Sequence, residues 1–179
     1  MEESTNSLTN LEIRNISLLL GLVAGVLGIL YFFSLYFTDV FLFDISFRLD
    51  FWITIPMIIV GLVYIRRSQG SLRAWQGFLS GFYIVAACAS LTALFYYVFL
   101  SFIDVDFLAE SWNVKLETID RVRNEIDNPK RVEELNVIYD NTLKASKESI
   151  PLDLVWDKSF WHYLVGIIIT FFSSILLRK

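Results

Sequence analysis

Cysteine, histidine and charge are scarce in this chain, and each scarcity closes off a class of chemistry. The single cysteine, Cys88, has no second thiol to pair with, so the chain cannot be a disulfide scaffold. It sits in an apolar run, where a thiolate is strongly disfavoured, and reads as a small packing residue. The single histidine, His162, stands between Trp161 and Tyr163. A catalytic base needs an orienting partner, and Asp157 is five residues away, off its helical face. His162 therefore reads as a polar residue at a membrane interface. Charged residues make up only 19% of the chain and the net charge is −4. No basic surface is available for a nucleic-acid backbone, and no nucleic acid is expected as a partner. No zinc motif, phosphate-binding loop, dinucleotide fingerprint or serine–histidine set is present. No catalytic, metal-binding or cofactor-binding residue can be named, and the chain is expected not to be an enzyme.

What fills the space is apolar. Hydrophobic residues reach 55%, above the roughly 45–50% of soluble domains, and 16 residues are phenylalanine. Charges punctuate the chain and leave four uncharged runs: 24 residues over 15–38, 15 over 51–65, 30 over 74–103 and 19 over 159–177. A helix rising ~1.5 Å per residue needs about 20 residues to cross ~30 Å of hydrocarbon. Lipid offers no partner to backbone N–H and C=O groups, so each run must be helical. The second run is short. It spans if residues 47–49 contribute and Arg48 and Arg66 snorkel to opposite interfaces. Pro56 inside it removes a backbone donor and predicts a kink. Trp52, Trp75, Trp156 and Trp161 fall near the span ends, where amphipathic rings are best placed. Before the second run, residues 41–52 alternate apolar with polar, a strand signal, but one short strand is not stable alone at a membrane surface, and an extended connector with its aromatics in the interface is the preferred reading. The N-terminus carries Glu2, Glu3 and Glu12 against Arg14, unlike the positive start of a signal peptide, so the first run is expected to be retained.

The expected organisation is all-α: an integral membrane four-helix bundle with an extramembrane helical hairpin between spans 3 and 4. Residues 1–103 hold an N-terminal tail and spans at about 15–38, 47–66 and 75–103. Residues 159–179 hold the fourth span and a basic end. Residues 104–158 carry 13 acidic and 8 basic residues. Leu108, Trp112, Leu116, Ile119, Val122 and Ile126 recur at helical spacing there, Asn128 and Pro129 break the pattern, and Val132, Leu135, Ile138, Tyr139 and Leu143 form a second stripe. The first stripe is the stronger. Trp112, Leu116 and Ile119 are therefore candidates for contact with a protein partner or a second copy.

Small residues four apart let helices approach closely in lipid. Gly21, Gly25 and Gly28 in the first run, and Gly77, Gly81 and Ala89 in the third, are candidate packing positions. They serve either runs one and three of the same chain or association with another. Gly166 stands alone in the fourth run and carries no such signal. Arg66, Arg67 and Arg73 crowd one tight turn, which suits an anionic headgroup, an acidic partner, or topology determination alone. Raw counts of Lys and Arg favour the opposite side, but the rule weakens for long loops. The cation density of that turn puts both termini in the cytoplasm and residues 104–158 outside.

The chain resembles the four-span bacterial membrane proteins of the domain of unknown function 4199 family, common in Bacteroidota. The likeness rests on Gly21, Gly25 and Gly28; on the stretch from Gly61 through Tyr64 to Arg66 and Arg67; on Gly70, Trp75, Gly77, Phe78 and Gly81; and on Ile103, Asp104, Asp106 and Phe107. The family often has Phe where Trp75 stands and Pro where Val105 stands. It carries no established activity, so the resemblance implies a bacterial inner-membrane location but no site.

Three functions compete. One is a non-enzymatic scaffold or accessory subunit of a cell-envelope complex. The second is a small permease or flippase-like carrier, which needs a polar cavity built by Ser90, Thr92, Tyr96 and Tyr97. The third is an enzyme acting on lipid-linked substrates, which needs Asp44, Asp50 and Asp104 clustered at one interface. No cofactor is implied by any of the three readings, and the lipid bilayer is the one certain partner.

Overall fold

The computed structural model describes residues 8–37, 51–148 and 150–177, without the side chains of Glu148 and Leu154. Six α-helices follow in order: α1 (Asn10–Phe37), α2 (Phe51–Gln69), α3 (Ala74–Val98), α4 (Asp106–Glu125), α5 (Pro129–Glu148) and α6 (Pro151–Leu176). A five-residue π-helical turn, Phe99–Ile103, extends α3. Among the described residues there is no strand. The alternating segment 41–50, which includes residues 47–50 of the expected second span, lies outside the described residues.

Local chemistry sets the helix ends. α1 opens on a reciprocal cap. The Glu12 carboxylate accepts the Thr9 backbone N–H at 2.7 Å, and Thr9 Oγ1 accepts the Glu12 N–H at 3.3 Å. The helix thus starts at Asn10, five residues before the uncharged run, because charge bounds a span but not a helix. α2 ends at Gln69 and Gly70 follows at φ +73°, the left-handed position that stops a helix at little cost only for glycine. Pro56 sits within α2, which runs on to Gln69 with the Trp52 carbonyl lacking its usual donor. Pro129 and Pro151 open α5 and α6 at the first helical position, where no N–H is needed. α6 therefore begins eight residues before its uncharged run.

Four segments are long and apolar enough to cross a membrane: α1, α2, α3 with its π turn, and α6. The chain is a multi-pass membrane protein. α2 is the shortest, with 19 residues rising to ~28 Å, close to the hydrocarbon thickness. The outward residues of these helices are large and apolar, among them Leu19, Val26, Leu30, Val60, Phe171 and Phe172. Ser17, Thr54, Ser80, Thr92, Thr170 and Ser174 are buried instead.

The chain divides into two compact units, residues 1–95 with 157–179 and residues 96–156. In the first, α1 and α3 run parallel. A Cβ added at Gly21 would lie 2.4 Å from the Ile84 carbonyl oxygen, and one at Gly25 would lie 2.9 Å from Leu91 Cδ2. Further along, Phe32 meets the Phe95 ring edge-on at 5.4 Å. Gly28 is buried on the same helix. α3 and α6 run antiparallel through a seam of small residues: Gly77 faces Ser174, Gly81 faces Thr170, and Val85 faces Gly166. Each step of four residues up α3 is a step of four down α6. Ala89, one further step along, is buried. Gly61 of α2 faces Ile84 and Leu20, and Ile13, Ile58, Leu62, Ile65, Leu72, Ile84 and Val85 form one core cluster.

Gly166 corrects the sequence reading. A Cβ there would lie 2.6 Å from both Cγ atoms of Val85. The signal was present as Gly166, Thr170 and Ser174, three small residues four apart. Counting only glycine and alanine hides it.

In the second unit, α4 and α5 form an antiparallel hairpin. Asn128 caps α5, its Oδ1 accepting the Lys130 N–H at 3.1 Å. Arg123 donates to Asn136 Oδ1 at 3.2 Å, ion-pairs with Asp120 and lies 5.4 Å over the Tyr139 ring. At the start of α4, Asp104 Oδ1 accepts the Phe107 N–H at 3.1 Å.

Substituting Gly21 by Ala should cost about 1–3 kcal/mol, because the obstacle is a backbone carbonyl. Gly166→Ala should cost a similar amount, because β-branched Val85 is stiff at χ1. Gly61→Ala should cost less, since the obstruction at 2.7 Å is the movable tip of Ile84. Thermal unfolding in detergent measures the three. Equal stability of all three would mean that these seams are not tight.

Candidate functional site

A polar cluster inside the spans joins three helices. Thr54 of α2 places Oγ1 3.0 Å from His162 Nε2 of α6 and 3.5 Å from Cys88 Sγ of α3. His162 is 1% exposed. The Phe51 ring packs 5.1 Å from the imidazole. His162 is thus a buried interhelical residue and not an interfacial one. Its flanking residues Trp161 and Tyr163 suggested the interface, but the helical turn directs only Trp161 outward. Cys88 is buried as its apolar run implies. Lys158, one turn before His162, is buried too. Ser90 and Tyr163 hydroxyls meet at 3.2 Å on the α3–α6 face.

This arrangement ties three helices together. A thiol or hydroxyl nucleophile needs its base in reach and a path for substrate. Thr54, Cys88 and His162 are all at most 2% exposed. Among the described residues, no group of three or more His, Cys, Asp or Glu could hold a metal ion. Hydrogen bonds between spans average about 0.6 kcal/mol and reach about 1.7 kcal/mol. Other buried hydroxyls bond within their own helix: Ser17 donates to the Ile13 carbonyl at 2.8 Å and Thr92 to the Cys88 carbonyl at 3.0 Å. Ser80 Oγ and Thr170 Oγ1 are buried without such a partner.

The three arginines of the α2–α3 turn are divided. Arg66 and Arg67 occupy the last turn of α2, where cations complement the helix dipole. Arg73 instead joins Arg14 of α1 in lining a cleft of about 660 Å³ between the first turns of α1 and α3. Neither Ser90, Thr92, Tyr96 nor Tyr97, the residues a carrier would need, lines that cleft. Ser90 faces Tyr163, and Tyr96 is buried. Of the three acids an enzyme would need, Asp44 and Asp50 lie outside the described residues.

On the hairpin, Trp112, Leu116 and Ile119 are half-buried, and Lys115 lies 5.2 Å over the Trp112 ring. The indole Nε1 of Trp112 is buried without a hydrogen-bond acceptor. Val114, Val122, Val137 and Ile138 are more exposed than the expected contact residues.

A family model described as "Protein of unknown function (DUF4199)" matches residues 19–179. The chain belongs to this family. No curated protein and no solved structure matches it. The DUF4199 match covers α2, α3 and α6, so it takes in Thr54, Cys88 and His162 together with the Gly77–Gly81 and Gly166–Ser174 seam. Arg14 precedes it. In this DUF4199 chain the sequence reading missed Thr54, which had no motif to mark it. Its importance comes only from the helices that bring it beside His162.

A double-mutant cycle tests the tie. Thr54→Val, His162→Ala and the double variant should show a coupling energy of about 0.5–2 kcal/mol in detergent unfolding. Additive losses would show that the 3.0 Å contact contributes no more than packing.

Proposed function

We propose that this DUF4199 protein is a non-enzymatic scaffold or accessory subunit of a bacterial cell-envelope complex in the inner membrane. Both termini face the cytoplasm, and residues 104–158 lie outside. The observation that carries this reading is the character of the polar groups inside the spans. Two pairs of them join helix to helix, Thr54–His162 and Ser90–Tyr163.

The hairpin is the recognition element in this reading. α4 and α5 cover each other's apolar stripes only in part, which leaves Trp112, Leu116 and Ile119 half-buried. A partner closing over them would also remove the exposed edge of the indole ring from water. Small-residue faces of α1 and α3 are engaged within the chain, so association through the hairpin is favoured over association through those spans.

Two measurements test this. Replacing Leu116 and Ile119 by Ser should reduce the apparent size of the particle extracted in mild detergent while membrane insertion stays normal. An unchanged size would make the hairpin a closed local structure and remove the scaffold reading's recognition element. Single cysteines at Ser71 and Asn141, in a Cys88→Ala background, should react with an impermeant thiol reagent in intact cells only at Asn141. Labelling at Ser71 alone would invert the topology.

A further inference from the structure

The cleft between the first turns of α1 and α3 has a composition that neither helix packing nor the hairpin reading uses. α1 contributes Asn10 and Arg14, and the start of α3 contributes Arg73, Gln76 and Ser80. Because the two helices run parallel, both N-termini, with their positive dipole ends, open on the same side of the membrane. Among the described residues, no acidic side chain lines the cleft. Glu12, on the first turn of α1, is held instead by Thr9. Gln76 Nε2 reaches Asn10 Oδ1 at 3.5 Å and ties the two walls together.

A second observation points to a ligand. Ser80 lies two turns deeper along α3 than Arg73, is 0% exposed, and has a hydroxyl without a hydrogen-bond partner. A buried, unpaired hydroxyl is unfavourable, and an acceptor entering the cleft would satisfy it. The remaining walls are apolar or aromatic: Leu11, Ile13, Leu79, Tyr83 and Trp75, the last 67% exposed. Cations and amides at the mouth with apolar walls match an amphiphile better than a free inorganic ion. The volume of about 660 Å³ falls within the roughly 300–1,000 Å³ of small-molecule sites.

We propose that this cleft binds the phosphate-bearing headgroup of an anionic phospholipid. Arg14 and Arg73 hold the phosphate oxygens from opposite walls, Asn10 and Gln76 donate at the mouth, and Ser80 donates to an oxygen reaching inward. Leu79, level with Ser80, packs against the glycerol and upper acyl chain. The site is independent of what the hairpin binds.

The test uses the full chain in vesicles of phosphatidylcholine with one-fifth phosphatidylglycerol, and counts phosphatidylglycerol retained after extraction by native mass spectrometry. Each cation near an anionic headgroup supplies roughly a fivefold preference. The R14Q/R73Q variant should therefore lose retention by about 25-fold, on that same basis. The R66Q/R67Q variant removes equal charge outside the cleft and should retain the lipid. S80A, which leaves the net charge unchanged, should weaken retention severalfold while keeping or raising thermal stability, so the site can be tested even if R14Q/R73Q folds poorly. Equal loss in R14Q/R73Q and R66Q/R67Q would reduce the effect to bulk surface charge and overturn the proposal. Full retention by S80A would overturn it as well. Inorganic phosphate raising the melting temperature in pure phosphatidylcholine as much as phosphatidylglycerol does would assign the cleft to free phosphate and overturn the lipid.

Discussion

The close approach of α3 to α1 and α6 is the constraint on which the membrane bundle depends. Lipid tails are as apolar as leucine, so burying apolar surface does not drive spans together. Association must come from contact area and from polar groups that find each other. Contact requires small residues where the backbones meet. At Gly21 an added Cβ would collide with the Ile84 carbonyl, and at Gly81 with the branched side chain of Thr170. α3 therefore carries two seams at once, a parallel one toward α1 and an antiparallel one toward α6. The large apolar residues are left for the lipid-facing surface, where Leu30, Val60 and Phe172 stand exposed.

The polar groups obey the same constraint. A hydroxyl in hydrocarbon must find an acceptor nearby, and the preceding turn of its own helix is the nearest. Ser17, Thr92 and Ser174 take that route. Thr54 takes the other, toward His162 and Cys88 on two neighbouring helices. The first arrangement satisfies a side chain without specifying a neighbour. The second specifies which helices meet and at which height, which is why one histidine contributes to the uniqueness of the bundle. Ser80 takes neither route, and its position in the wall of the Arg14–Arg73 cleft links an unmet donor to two cations.

The hairpin answers to a different solvent. α4 and α5 are amphipathic, with charged outer faces and caps built from Asp104 and Asn128. Water drives their stripes together, but two helices cannot enclose a stripe fully. Half-buried Trp112, Leu116 and Ile119 follow from that geometry.

Some of this was written in the sequence alone. Long uncharged runs determine four helices in a membrane, because hydrocarbon leaves the backbone no alternative, and the helical spacing of Leu108, Trp112, Leu116 and Ile119 determines an amphipathic hairpin helix. Gly21, Gly25, Gly77 and Gly81 could be read as close contacts, since glycine in a span has few other uses. Their partners could not be read. Periodicity reports which face of a helix is special and says nothing about which helix faces it. Gly166 looked isolated until Val85 stood opposite, and His162 looked interfacial until Thr54 came within hydrogen-bond distance from 108 positions away. Arg73 looked like one of three cations in a turn until the parallel packing of α1 and α3 set it across a cleft from Arg14. Local sequence fixes helices and caps because their forces act within a turn. Pairing across the bundle was decided only by tertiary structure, where register, helix direction and side-chain volume act together.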